Sequence, residues 1–250
     1  MKKSIGRFNV LRNENIMIKN IKENERWQFL IDFIDGYFER PIDENSGNTT
    51  NEIEEMEAKL EINLPLAVKE WFLLVGRRAD ITSAFDQNTL LTNLSLQNNF
   101  LSLYWESQML WDCGIRALDL NLENPPAYFL STDLDYVIDY SLPESSVVHE
   151  GVVQVSNSIS TFLTNMVILQ RLIGIGNDLN PTWKSNVICG SFANWKDSER
   201  ISNEMSSSLF EVPWGHTVFY WKGTFLDRRT GNFITNDFES FNALKSRIEE

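Results

Sequence analysis

The sequence predicts an α+β fold, a single domain in which helices come first and a mixed or antiparallel sheet follows, closed by a C-terminal hairpin and helix. Three observations predict it. Apolar residues recur at helical spacing through residues 24–75 and again through 158–173 and 237–248. The period shortens to strand-like alternation after residue 100, where Phe100–Glu106 reads FLSLYWE. No Pro-, Gly- or Ser-rich linker divides the 250 residues. A basic tail at 1–22 is expected to be loosely ordered. The domain spans 23–250, with its core over 24–173 and an extension over 174–250.

The elements follow in order. Trp27, Leu30, Ile31, Ile34, Tyr37 and Phe38 give the first helix one apolar stripe, and Pro41 stops it. Thr49 and Glu52 stand at capping-box spacing ahead of Ile53, Met56 and Leu60, so a second helix starts there. It ends near Ile62, because Pro65 disfavours helical geometry at Leu64. Pro65 suits the first turn of a third helix, with Val68, Trp71, Phe72 and Val75 inward and Gly76 as its C-terminal cap. Strands are expected at 100–106, 115–122, 127–130, 133–140 and 147–153. Pro125 and Pro126 cannot donate to a ladder and belong in a turn or at a sheet edge, where they would blunt pairing. A helix covers 158–173. Residues 179–205 are the least regular, with Trp183, Val187, Phe192 and Trp195 as anchors. Strands at 217–226 and 232–235 flank the loop Asp227–Gly231 as a hairpin, and Phe238, Phe241, Leu244 and Ile248 mark a last helix.

Charge is distributed unevenly. Lys2, Lys3, Arg7, Arg12, Lys19 and Lys22 face only Glu14, which gives the tail +5; the chain carries −13, so residues 23–250 carry −18. An acidic body of this size repels phosphates, which argues against direct nucleic-acid binding, and it attracts basic proteins. Two cysteines, Cys113 and Cys189, are too few for a secreted disulfide framework and are expected to be reduced and buried. Polar residues interrupt every apolar run near the N-terminus, so no signal peptide is expected, and Met17 is a candidate start. No stretch of 18 apolar residues occurs, so no membrane span is expected and the cytoplasm is the default location.

The segment IEEMEAKLEINLPLAVKEWFLLVG (Ile53–Gly76) resembles the opening signature of the SUKH superfamily, which includes bacterial immunity proteins and fungal cell-wall regulators. A second block carries the same resemblance: Glu106-Ser107-Gln108, Trp111, Gly114-Ile115, Asp119 and Asn124-Pro125-Pro126-Ala127-Tyr128. It is similar to the "E-N-Q … W-G-I … D-P-P-V-Y" run of an immunity branch, with Ser107, Asn124 and Ala127 departing from the pattern and Cys113 preceding the glycine. The start of the helix at Ser158, with Phe162 and Leu163, is the third match. The resemblance covers about residues 24–250, most weakly at 174–205. It implies a recognition scaffold and not an enzyme: an immunity protein that occludes a cognate toxin domain, a basic nuclease or nucleic-acid deaminase. The alternative it leaves open is a regulatory scaffold for an endogenous protein.

Partner-binding candidates are Glu106, Trp111, Asp112, Asp133, Asp135 and Asp139, acids and one aromatic anchor flanking the sheet motifs. Asp133 and Asp135 suit a solvated rim better than acid–base work. No catalytic residue, cofactor or metal ligand is assigned. His149 and His216, with Cys113 and Cys189, match no zinc spacing, and Gly174-Ile175-Gly176 lacks the third glycine of a dinucleotide loop. A small hydrolase remains a third reading, which would need His149 or His216 gathered with acids in a cleft. Trp27, Trp71 and Trp105 fall on core patterns, whereas Trp111, Trp195, Trp214 and Trp221 sit beside polar or turn residues, as anchors or half-exposed packing.

Overall fold

The described chain up to Thr82 holds helices, for the reasons its pattern suggests. Helix α1 (Glu25–Tyr37) buries Trp27, Leu30, Ile31, Phe33, Ile34 and Tyr37. Helix α2 (Thr50–Leu60) opens on a complete capping box: the Thr49 hydroxyl accepts from Glu52 N–H, and the Glu52 carboxylate accepts from Thr49 N–H at 2.8 Å. Each partner satisfies an N–H that the helix itself leaves open. Thr49→Ala is therefore expected to cost about 1 kcal/mol, read as a lowered urea midpoint with an unchanged slope. The helix ends at Glu61, which adopts φ 55°. Pro65 is the N-cap of α3 (Leu66–Val75) and stands one position earlier than expected. Trp27 and Trp71 pack with ring centroids 5.8 Å apart, both essentially buried. A short helix, α4 (Ala79–Thr82), completes this part.

This computed structural model describes residues 21, 25–83, 86–105, 111–131, 148–149, 152–175, 182–192, 195–205, 208–212 and 216–249. Ile21, the one described residue of the basic tail, is buried in the core. The strand expected at 133–140 and the side chains of Trp111, Trp195 and Trp214 lie outside the described residues.

Two sheets form where one was expected, and every described ladder is antiparallel. The first holds β1 (Gln87–Asn88), β2 (Leu96–Gln97), β3 (Phe100–Trp105), β4 (Trp111–Arg116), β5 (Ala127–Ser131), β6 (Val148–His149) and β7 (Val152–Ser156). Its order is β1-β3-β4-β5-β7-β6, with β2 also on β3. The strand expected at 115–122 ends at Arg116. The chain then turns through a 3₁₀ segment, Ala117–Asp119, held by Arg116 Nε donating to Asp119 Oδ2 at 2.8 Å. Pro125 and Pro126 precede β5, which is an interior strand, so they shape an entry turn and blunt no edge. Trp105 is half-buried, because it alternates outward from Tyr104. Gly114 is where β3 comes closest to β4: a Cβ there would lie 2.0 Å from the Leu101 carbonyl oxygen.

Only the first strand of the second sheet comes from the stretch that reads as least regular. The sheet holds β8 (Ile188–Ser191), β9 (Ser208–Val212), β10 (His216–Trp221), β11 (Thr224–Asp227) and β12 (Asn232–Thr235), in the order β8-β12-β11-β10-β9. The single strand expected at 217–226 is itself a hairpin. Lys222 (φ 41°) and Gly223 (φ 70°) form its two-residue turn, with positive φ at both positions as a type I′ turn requires. The expected hairpin across Asp227–Gly231 is present as the next connection, β11–β12. Helix α6 (Trp195–Glu204) and the C-terminal helix α7 (Phe238–Glu249) cover one face of this sheet with Ile201, Met205 and Leu244 against Phe219 and Leu226.

Helix α5 (Ile159–Ile173) joins the two sheets. Ser158 caps it, accepting from Thr161 N–H. Almost all of its residues are buried, and it touches α1, α3, β7, β11 and β12. One apolar cluster consequently runs from Leu101, Cys113, Ile115 and Phe129 of the first sheet through α5 to Val218, Phe225 and Ile234 of the second. The architecture is a single α+β domain.

Candidate functional site

Among the described residues, both thiols are held within sheet strands. Cys113 lies fully buried in β4; burial first, then the nearby Asp112 and Asp86 carboxylates, push its thiol well above its ordinary pKa. A thiol held protonated is a poor nucleophile. Cys189 stands on β8 in the other sheet, with its thiol pushed up to about 11 by burial. Tyr104 donates to Asp86 Oδ2 at 3.0 Å and accepts from Gln170 Nε2 at 2.6 Å, and Gln170 Oε1 accepts from Asp86 N–H at 2.8 Å. This buried network pins β3 and the chain before β1 to α5. Among the described residues, no group of three or more His, Cys, Asp or Glu side chains could hold a metal ion.

Among the described residues, the one His–acid pair is His216 Nδ1 with Asp227 Oδ2 at 2.8 Å. Asp227 is fully buried and also accepts from Arg229 N–H, Thr230 N–H and, at 2.6 Å, the Thr230 hydroxyl. Its carboxylate thus organises the 227–231 turn, and no described hydroxyl or thiol bonds the other imidazole nitrogen. The His149 side chain lies outside the described residues. Burial raises the Asp227 pKa, but the His216 hydrogen bond, its charge, and the turn donors outweigh burial and leave the pKa below the ordinary carboxylate value. A folded-state pKa below the unfolded one stabilises the fold above pH ~3.9 and is lost as pH falls through the folded value. Asp227→Asn is expected to lower stability by about 2 kcal/mol at pH 7. The loss should shrink in urea titrations carried down through the folded-state pKa, where wild type takes up the proton as well.

The sequence-selected binding residues are placed unevenly. Glu106, Asp133, Asp135 and Asp139 lie outside the described residues, and Trp111 opens β4 with only its backbone described. Asp112 is described. It faces Trp105 across the β3–β4 ladder and is half-buried; burial pushes its carboxyl up against the pull of a Ser102 hydrogen bond. A carboxylate in that position contributes little to a long-range field.

A different face gathers acid and aromatic side chains. Residues 25–61 hold eleven Asp and Glu against Arg26, Arg40 and Lys59, and Arg26 is turned inward onto Glu70 at 2.6 Å. On α1 the exposed residues Glu25, Gln28, Phe29, Asp32 and Asp35 recur at helical spacing and form one stripe, which Glu39 extends just past the helix. Lys184 sits at its end, donating to the Asp35 carbonyl. Phe29 is 37% exposed, and Tyr220, at the end of β10, is 42% exposed. Both rings rest on the buried ring of Phe225, with centroids 6.2 and 4.7 Å away, so helix and sheet present them together. Tyr37 also packs on Phe225, at 5.4 Å; its hydroxyl is buried with no hydrogen-bond partner among the described residues. Burial first, then the neighbouring Tyr220, raise its pKa far above the ordinary phenol value.

Sequence reasoning passed over this face. The density of acids in 25–61 was available as a local charge count, but Tyr220 comes to Phe29 only through the β10–β11 hairpin and its packing on α1. Comparison with protein-family models, with curated proteins and with solved structures gives no match in any of the three. Among the described residues, no helix is long and apolar enough to cross a membrane.

Proposed function

We propose that this chain is a non-catalytic immunity protein of SUKH type, acting in the cytoplasm, which binds a basic toxin domain and covers its active site. The observation that carries the reading is the α1–β10 face, where exposed Phe29 and Tyr220 lie beside Asp32 and Asp35 on a body of charge −18. Nucleases and nucleic-acid deaminases hold phosphates with basic surfaces, and a surface of opposite sign both steers their approach and competes for the same groups. Aromatic anchors supply affinity where water is excluded, and the acids around them set orientation.

The test is association of the purified chain with the toxin domain encoded beside its gene, followed by stopped-flow fluorescence across a salt series. The on-rate is expected to fall at least tenfold between about 50 and 500 mM NaCl, as screening shortens the reach of the field. A salt-independent on-rate would remove the electrostatic basis of the proposal. Failure of the chain to bind or to inhibit that domain would remove the immunity assignment.

A further inference from the structure

A recess opens at the second sheet, between the edge strand β8, its neighbour β12 and the two C-terminal helices α6 and α7. It encloses about 390 Å³, within the range of small-molecule sites. Its apolar wall is aromatic: Phe192, Phe233, Phe238 and Phe241 all line it. Phe233 packs on Phe192 and on Phe241, with ring centroids 5.4 and 4.5 Å apart and ring planes tilted by 44° and 32°. Rings that meet at such angles make a curved wall and not a flat platform. Phe238 is 41% exposed, so its ring is open to a guest.

Two charged side chains reach the lining, Asp197 of α6 and Lys245 of α7. They are not equivalent. Lys245 already holds a contact of its own. Asp197, partly exposed, has no hydrogen bond or ion pair among the described residues. The charge left for a guest is therefore one carboxylate beside aromatic rings, on a body that carries −18.

That combination selects a cation. Ring faces attract positive charge, more strongly where water is excluded, and an anion would meet Asp197 directly. A neutral apolar guest would bury the carboxylate without compensation. The kind of cation is selected too. A primary ammonium brings three N–H donors and a guanidinium five. Phenylalanine offers no acceptor atom, and donors left unmet in the recess are costly. A quaternary ammonium has no N–H to satisfy. Its charge is spread over methyl groups that pack on rings, and it needs a single counter-charge.

We propose that this recess binds the trimethylammonium end of a small, choline-like molecule, its methyl groups against the phenylalanine rings and its charge toward Asp197. The site shares no residue with the α1–β10 face and stands apart from any toxin partner.

The experiment is a titration of the isotope-labelled full chain, read by amide chemical shifts in NMR, with four probes. These are choline, its uncharged carbon isostere dimethylbutanol, ethanolamine and phosphocholine. Choline is expected to saturate, with shifts centred on Asp197 and Phe238, and to bind about tenfold or more tightly than dimethylbutanol or ethanolamine. Phosphocholine is expected to bind more weakly than choline, because its phosphate meets the acidic body; this arm separates a free amine from a lipid headgroup as the source. Asp197→Asn keeps the shape of the lining and should weaken choline about tenfold while leaving dimethylbutanol unchanged. Phe238→Leu keeps apolar bulk but removes a ring, and should likewise weaken choline alone. Both side chains are at least partly exposed, so melting temperatures should stay near wild type. The proposal is overturned by absence of saturable choline binding, by dimethylbutanol or ethanolamine binding as tightly as choline, by phosphocholine binding more tightly than choline, or by choline affinity that survives both substitutions.

Discussion

Truncating both anchors, in the Phe29→Ala/Tyr220→Ala double variant, is expected to weaken binding of the basic partner by about 100-fold to 1,000-fold. Each anchor of this type contributes about 2 kcal/mol when it is covered, and 1.4 kcal/mol is tenfold in affinity. Both rings are partly exposed and lean on Phe225, so the fold should lose only about 1 kcal/mol, a shift of about 2–4 °C in melting temperature. The two contributions of the face are separable in kinetics. Loss of the rings should appear in the off-rate, whereas Asp32→Lys/Asp35→Lys should appear in the on-rate and flatten its salt dependence. Surface plasmon resonance at two salt concentrations reads both. Unchanged off-rates in the double aromatic variant would place the interface elsewhere on the molecule.

Gly114→Ala is expected to cost about 3 kcal/mol or more. The added methyl group would sit 2.0 Å from the Leu101 carbonyl oxygen and 3.0 Å from the Phe100 ring. The nearer obstacle is backbone, so no rotamer change relieves it and β3 must separate from β4. Gly36→Ala is the matched control: it lies in α1, and its Cβ would meet only Asn236 Nδ2, at 3.5 Å. It should be neutral or stabilising by up to about 1 kcal/mol, because alanine favours the helix. Urea denaturation followed by tryptophan fluorescence compares the two. A wild-type midpoint for Gly114→Ala would show that the strands give way at little cost.

The two variants mark how far a linear pattern reaches. Gly114 is one residue of a motif in the sequence, and the structure shows the Leu101 carbonyl that approaches it. The Thr49–Glu52 box, the stop at Pro41 and the apolar stripe of α1 were all legible, because each depends on residues within one or two turns of one another. The second sheet was not. Strand β8 is short and gains its identity from pairing with β12 far along the chain, while β9 pairs with the next strand, β10, across a short connection. Lys222-Gly223 lacks the Asn-Gly or Asp-Gly signature, and the apolar run on either side of it reads as one strand. The face proposed for binding was half legible. Its acids are neighbours in sequence, but the candidates Trp111 and Asp112 were picked by motif, and Asp112 is half-buried on β4.

By itself the sequence determined five of the seven described α-helices, the capping box at Thr49, the α+β class and the sign of the net charge, since these follow from local spacing and from composition. Only the tertiary structure decided that the strands divide into two sheets around α5, that Phe29 and Tyr220 meet over Phe225, and that four phenylalanines close a recess beneath α7. The physical reason is range. A cap or an amphipathic stripe is settled within a few residues, whereas a ladder or a shared ring contact is settled by which distant segment arrives to bury it.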